Sequence, residues 1–525
     1  MENIDKPTVQ ILGSLLHAYG VRHVVVSSGS RCAPLTVCFN RLGFFRLHTV
    51  IDERTAGFVG LGMAVALNEP VALVCTSGSA PLNYGPALAE AYYRRVPLIA
   101  ISADRPANWI DQREGQTIHQ AHCLDSVVRC SIDLQPCSAS VLQWNEANLK
   151  INRALAEATG LIKGPVHINV QLEAPLTPMT EADYSYMAKK ITVRERISAS
   201  VHDILDLHSE PASRPMLIIG GIALSDKDRR RIEEFNRSSN VVVVAEAQSN
   251  IRGALRPAYF DKGLDLPQDM TPDLVMLIGG DMVSNRFKAW LRSLERTTFI
   301  STTLEDTLTD TYGHLKANVP CRVKVLIEYL EQVAKEASVM FKANWLRMHR
   351  KENTENGLVQ MLQKLVSQFR FGDLHVSNGS AIRLVQYLDI PKGVRVECNR
   401  GVSGIEGSTS TAIGSAMVSE RPTLLITGDM SAAYDIGALA INGIPANFKM
   451  VVLDNDGGDI FRNISTTSAL PELEEYFAMP PRFPIKELAM AYGFDYCTEI
   501  SAFMAAAKPA ILHIKINPQQ SKGLI

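Results

Sequence analysis

The sequence predicts an α/β fold of three domains, each a mainly parallel sheet flanked by helices, and three observations carry that expectation. Short apolar runs of strand length alternate with helical patterns in three successive series. Polar, glycine-rich turns follow the apolar runs, where ligands of parallel α/β sheets bind. The chain has 525 residues, 46% hydrophobic and 21% charged, enough for large cores. At about 150 to 200 residues per domain, roughly three are expected.

The first series runs VRHVVVSSGS, a helix near Ala33 to Arg41, FRLHTVIDE, a helix from Arg54 to Leu67, and VALVCTSGSA before another helix. It closes at GPVHINVQLEAPL, residues 164 to 176. A charged stretch rich in Ser and Ala leads to about Arg214, and a second series follows as PMLIIGG, VVVVAEA, LVMLIGG and TFISTT. That series ends near a charged helix expected from Val323 to His349. The third opens around Leu374 with HVSNGSAIRL and continues through VRVECNRGVSGIEG, TLLITGDMS, KMVVLDNDGG and ILHIKIN. The expected boundaries are 1–185, 186–345 and 346–525.

A net charge of -2 and a pI near 6.6 provide no basic field for nucleic acid. No apolar stretch approaches 18 residues free of charge, and MENIDKPTVQ is not the start of a signal peptide, so no membrane partner is expected. The nine cysteines form no CxxC pair, which argues against a disulfide scaffold or a structural zinc site. A cytoplasmic small-molecule enzyme is the expectation.

The most specific local signal is GDMS followed by NDGG, with Asn455 26 residues after Asp429. Gly428 lets a ligand approach the backbone, Asp429 offers a hard anionic oxygen, and the N–H groups at Met430 and Ser431 begin a helix at which a diphosphate can sit. Asn455 and the carbonyl of Gly457 complete an oxygen-rich partial shell suited to Mg2+ held together with phosphate and water. Either turn alone reads as a helix cap. Both at this spacing resemble the metal and diphosphate motif of the thiamine diphosphate enzymes, with Met430 in place of a Gly and Asp454 in place of an Asn.

That resemblance implies thiamine diphosphate with Mg2+ (or Mn2+), bound by Asp429, Asn455 and Gly457. It also implies an activating carboxylate after the second strand of a pyrimidine-binding domain, which falls on Glu53. An Asp52-Glu53 pair alone is also an ordinary helix start favoured by the helix dipole. In the family, the Glu hydrogen-bonds the aminopyrimidine ring and promotes its imino form.

GSRCAPL (29–35), IDER (51–54), TSGSA (76–80), ADRP (103–106), EGQTIHQ (114–120), IRL (382–384), NRGVSGIEG (399–407) and NDGGDIF (455–461) are similar to successive motifs of one family within that group. It is the 2-succinyl-5-enolpyruvyl-6-hydroxy-3-cyclohexene-1-carboxylate synthase family of menaquinone biosynthesis. The resemblance implies decarboxylation of 2-oxoglutarate and addition of the succinyl unit to isochorismate.

Several carboxylates must then be held, and arginine's planar fork suits them. The family pattern assigns substrate contacts to Ser30, Arg31, Arg105, Gln116, Arg286, Ser380, Arg383, Arg400 and Phe461. Cofactor contacts fall on Glu53, Thr76, Gly78, Ile405, Gly428, Asp429, Met430, Ser431, Asn455, Gly457, Gly458 and Ile460, with Ile405 as the wedge that bends the cofactor. Three departures matter: Gly115 replaces an Asn, Asn285 replaces a Lys beside Arg286, and Gly379 falls at a Ser position with Ser380 one residue late. His48, His119 and His375 read as structural. IIGG and LIGG lack a dinucleotide spacing. The family also implies a homodimer or dimer of dimers, each site taking Glu53 from one chain and Asp429 from the other. Another thiamine diphosphate decarboxylase or carboligase, or a non-catalytic relative, is the alternative.

Overall fold

The computed structural model describes residues 2–137, 140–193, 195–304, 308–349 and 356–517. The chain divides into two compact units, one of residues 1–195, 399–452 and 481–514, the other of 196–398, 453–480 and 515–525.

In the first unit a six-stranded sheet runs in the order Arg46–Thr49, His23–Val26, Val71–Cys75, Leu98–Asp104, Val166–Gln171, Cys130–Leu134. Every pairing is parallel. The four inner strands are buried along their whole length, because helices cover both faces and no face is left for polar side chains. Alternate strand residues serve opposite cores. Val24, Val74 and Ile101 pack with Leu15, Phe39 and Leu155, while Val25, Leu73 and Ala100 pack with Val59, Leu61 and Leu88. The outermost strand Arg46–Thr49 is polar and only partly buried, as an edge should be.

The same unit takes in most of the strands Thr423–Gly428, Phe448–Asp454, Ala510–Lys515 and Asp495–Cys497, neighbours in that order and the last two parallel; its later stretches end at 452 and 514. The helices Glu53–Leu67 and Ser408–Val418 cross at backbone distance. A Cβ on Gly62 would lie 1.9 Å from the Thr411 carbonyl oxygen, and one on Gly414 2.1 Å from that of Val59. The small residues of the first helix allow this approach.

The second unit holds a five-stranded parallel sheet in the order Val242–Ala245, Pro215–Ile219, Leu274–Ile278, Thr298–Ser301, Leu315–Asn318. Its two GG turns pack on each other. A Cβ on Gly220 would meet the Gly280 carbonyl oxygen at 2.0 Å, and Gly280 N–H donates to Gly221 O at 3.0 Å. These glycines serve turn-to-turn packing. The single helix expected from Val323 to His349 is two, Val323–Val333 and Val339–Met348, because Ser338 caps a new start by accepting from Phe341 N–H at 3.2 Å.

Strand Phe371–Val376 pairs in parallel with Gly393–Cys398 in this unit. The Asn250 side chain bonds the latter at Val396, accepting from its N–H at 2.8 Å and donating to its carbonyl at 3.0 Å. Among the described residues no helix is long and apolar enough to cross a membrane.

Candidate active site

Asp52 and Glu53 divide the work that the sequence left open between them. Asp52 has extended backbone and accepts from Arg54 N–H at 2.8 Å and Thr55 N–H at 3.3 Å, so the helix begins at Glu53 with its cap already supplied. Glu53 is half-buried, and burial raises its pKa; its own backbone N–H opposes the rise and the Asp52 charge adds to it. Burial favours the protonated form of such a carboxyl, which makes it a more suitable proton donor to a ring nitrogen than a solvated acid. The next residue, Arg54, lies over the Tyr434 ring at 4.9 Å and donates to the Tyr434 carbonyl at 3.2 Å.

Arg31 and Arg105 come together at the carboxyl ends of the first sheet. Both guanidinium groups lie over the Trp109 ring, 5.7 and 5.8 Å from its centroid. Arg31 is buried, donates through Nη1 to Leu172 O at 2.8 Å, and has an Nε with no hydrogen-bond partner. Burial and the neighbouring Arg105 lower its pKa. Arg105 donates to Gly115 O at 3.0 Å and also has an unpartnered, buried Nε. Two cations forced together with unused donors make a seat for an anion. Ser30 is exposed beside them.

A buried polar network supports this edge. Asn169 donates to Asp104 and Asp133 at 2.8 Å each, and Gln120 donates to Asn169 Oδ1 at 2.9 Å. Gln120 also accepts from Gly78 N–H at 2.9 Å, while Asp104 accepts from Arg105 N–H at 2.7 Å. One network thus holds both the Thr76–Gly78 turn and the arginine turn. Burial raises the Asp104 pKa, the Asn169 and Arg105 hydrogen bonds opposing it. Gln116 sits over Gly78, its Cα 3.1 Å from where a Gly78 Cβ would be. The buried Thr76 Oγ1 has no partner, a donor open to a ligand.

In the third series, the loop carrying Arg400 and Ile405 runs into the helix Ser408–Val418. Ser431 Oγ donates to the Ile405 carbonyl at 2.6 Å, tying the loop backbone at that half-buried residue to the helix that Asp429 begins. Asp429 is 2% exposed and accepts from Met430 N–H at 2.9 Å. A Cβ on Gly428 would meet nothing within 4 Å, so space there is open to a ligand. Asp435, six residues on, accepts from both Ser410 N–H and Ser410 Oγ–H at 2.7 Å.

The second unit holds the remaining candidates. Asn455 is buried and follows directly on its strand, with its carbonyl accepting from Arg462 at 3.0 Å. The Gly457 carbonyl accepts from Asp459 N–H at 2.9 Å, and Gly458 N–H donates to Ala478 O at 2.6 Å. Ile460 and Phe461 lie on the short helix Asp459–Asn463, Phe461 tilted against Phe477 at 6.0 Å. Asp454 is half-buried, while Asp456 is exposed in left-handed backbone and faces solvent.

Ser380 opens the helix Ser380–Val385 after Gly379, whose φ of +83° disfavours a side chain. Arg383 on that helix donates to the Gly379 carbonyl at 2.7 Å. Arg286 lies 3.9 Å from Asp261 and is half-exposed. Among the described residues no three His, Cys, Asp or Glu side chains gather as a metal cluster.

Comparison with known proteins decides among the thiamine enzymes. Residues 8–124 match the model of the thiamine pyrophosphate enzyme N-terminal TPP binding domain. The 2-succinyl-5-enolpyruvyl-6-hydroxy-3-cyclohexene-1-carboxylate synthase of Porphyromonas gingivalis is 34% identical, covering 95% of this chain and 90% of that one. The synthase of Flavobacterium psychrophilum is 35% identical over 98% of this chain and 94% of its own. That of Cytophaga hutchinsonii is 34% identical over 92% and 89%.

The chain belongs to this synthase family. A Glu at the start of one helix and a buried Asp opening the helix after a later strand are thus features of a chain in the 2-succinyl-5-enolpyruvyl-6-hydroxy-3-cyclohexene-1-carboxylate synthase family. Sequence reasoning missed Trp109, Gln120 and Asp435. Trp109 lies three residues past ADRP in a three-residue turn without periodicity. Gln120 closes the EGQTIHQ motif, and Asp435 lies one helix turn past the GDMS motif, so motif proximity was the usable signal.

Proposed function

We propose that the chain decarboxylates 2-oxoglutarate and joins the succinyl unit to isochorismate, releasing CO2 and 2-succinyl-5-enolpyruvyl-6-hydroxy-3-cyclohexene-1-carboxylate in menaquinone biosynthesis. The observation that carries it is the Arg31–Arg105 pair over Trp109, cations with unpartnered donors in a chain of the synthase family. Thiamine diphosphate, when bound, supplies the electron sink that receives the pair left behind by CO2. The chain's residues fit it: Thr76 has an unused buried donor, Gly428 has open space, and Glu53 is half-buried with a raised pKa.

Glu53 holds a proton at the aminopyrimidine ring nitrogen. Asp429, with Asn455 and the Gly457 carbonyl, would hold Mg2+ (or Mn2+), one carboxylate among neutral oxygens leaving the cation free to bind diphosphate. Gly428, Met430 and Ser431 would bind that diphosphate through backbone groups, and Gly78, Gly458, Ile405 and Ile460 would wall the cofactor. Arg31, Arg105, Arg286, Arg383 and Arg400, with Ser30, Gln116, Ser380 and Phe461, orient the two acids, so that a two-substrate encounter costs less entropy at the reacting carbons. We assign the chain to the cytoplasm, to three domains at 1–185, 186–345 and 346–525, and to a homodimer or dimer of dimers with sites shared between subunits.

The test is an assay with 2-oxoglutarate, thiamine diphosphate and Mg2+, with and without isochorismate. Product is expected only when both acids are present; aldehyde formed at full rate without isochorismate overturns the assignment in favour of a simple decarboxylase.

A further inference from the structure

The helix Gly85–Arg94 carries an acid that neither the motifs nor the cofactor chemistry requires. Glu90 is 1% exposed. A carboxylate taken that far from water is stable only if hydrogen bonds replace its hydration. Its two oxygens are satisfied by two successive backbone amides of the substrate loop: Oε1 accepts from Gly401 N–H and Oε2 from Val402 N–H, each at 2.8 Å.

Gly401 fits this grip because a Cβ there would lie 2.6 Å from the Glu90 carbonyl oxygen and 3.0 Å from Oε2. One turn further along the helix, Arg94 places Nε 3.9 Å from Oε1 and donates through Nη1 to Asn399 Oδ1 at 3.3 Å. Asn399 in turn donates to Thr411 Oγ1 at 3.0 Å. The residues before and after Arg400 are therefore both held by one helix of the pyrimidine-binding region.

We infer that Glu90 is a positioning residue, which sets the direction of Arg400 toward a substrate carboxylate by gripping the backbone at Gly401 and Val402. The inference rests on the reading of Arg400 as a substrate-binding residue. Charge-assisted bonds to two adjacent amides fix the loop against rotation as well as translation, which one neutral acceptor would not do. Glu90 touches no substrate, so its effect is on the geometry with which Arg400 meets one.

The experiment compares Glu90→Gln with Arg400→Ala in the full-length holoenzyme. Glutamine keeps the shape but turns one acceptor into a donor that faces an N–H. We expect Glu90→Gln to raise KM for the same acid that Arg400→Ala affects, at least tenfold, with kcat changed less than threefold and thiamine diphosphate affinity unchanged by calorimetry. Hydrogen exchange of the 399–407 segment should rise in Glu90→Gln. Unchanged KM for both acids in Glu90→Gln overturns the inference, and so does a parallel fall of kcat, cofactor affinity and Tm, which marks a purely structural group. If Arg400→Ala leaves KM unchanged for both acids, the reading of Arg400 fails and the inference falls with it. Faster loop exchange in Glu90→Gln would then still distinguish that failure from a failure of the Glu90 grip.

Discussion

Two neighbouring carboxylates show how one atom's surroundings assign it a task. Asp52 accepts from the first helix amides, which leaves Glu53 as the half-buried acid with the raised pKa. Glu53→Gln should keep the fold, since the cap remains, and lower kcat/KM by about 10²- to 10⁴-fold, the range for loss of a positioned proton-transfer group. Steady-state rates beside a thermal melt will separate the two effects. Trp109 is a second case. Its ring lies under two guanidinium groups at 5.7 and 5.8 Å, each contact contributing about 0.5 to 1 kcal/mol. Trp109→Ala should therefore raise KM for an acid substrate by roughly five- to thirtyfold, read from initial rates in each substrate. The arginines were legible in the sequence because they sit in turns that follow apolar runs. Trp109 was not, since an aromatic residue in a three-residue turn has no period to place it, and only the folded turn shows what it underlies.

Elements carry information that pattern cannot supply. The alternation of strand and helix was readable, as was the helix start at Asp52-Glu53. The break after Val333 was missed because 323 to 349 is helix-compatible throughout, and the Ser338 cap competes successfully for the new start. The crossing of helices Glu53–Leu67 and Ser408–Val418 was equally invisible, for it depends on two glycines distant in sequence. Gly62→Ala should destabilise the protein by about 1 to 3 kcal/mol, as overpacking does, measured by urea denaturation. The start of the second helix has its own pH dependence. Asp435 is fully buried, and burial pushes its pKa up from 3.8 to about 6, opposed chiefly by the Ser410 hydrogen bonds. The native state then keeps a proton that the unfolded chain has lost, so the Asp435 contribution is complete below pH 3.8 and disappears as pH rises through about 6. Asp435→Asn resembles the protonated form at every pH. Relative to it, the wild type should lose stability between pH 4 and pH 6.5 and run parallel above, in a series of denaturation midpoints.

For the whole molecule, Glu53, Arg400 and Asp429 fall within one compact unit drawn from three separate stretches of chain. Local periodicity finds strands and helices but does not state which distant segments share a core, so this membership had to come from the fold. The proposed sharing of sites between subunits makes a quantitative prediction. Glu53→Gln and Asp429→Ala, each inactive alone, should on co-refolding recover about a quarter of wild-type activity, because half of the dimers would be mixed and each would carry one intact site. No recovery would mean that each chain supplies both acids to its own site. The crossing at Gly62 and Gly414 also has a consequence for inheritance. A crossover between two related genes near codon 196 would join the first 195 residues of one parent to the 399–452 stretch of another. Helices packed so closely that an added Cβ at Gly62 or Gly414 would fall 1.9 or 2.1 Å from the facing carbonyl oxygen leave no slack for mismatched parents. Viable chimaeras should therefore keep both crossing helices from the same parent, wherever else they exchange sequence.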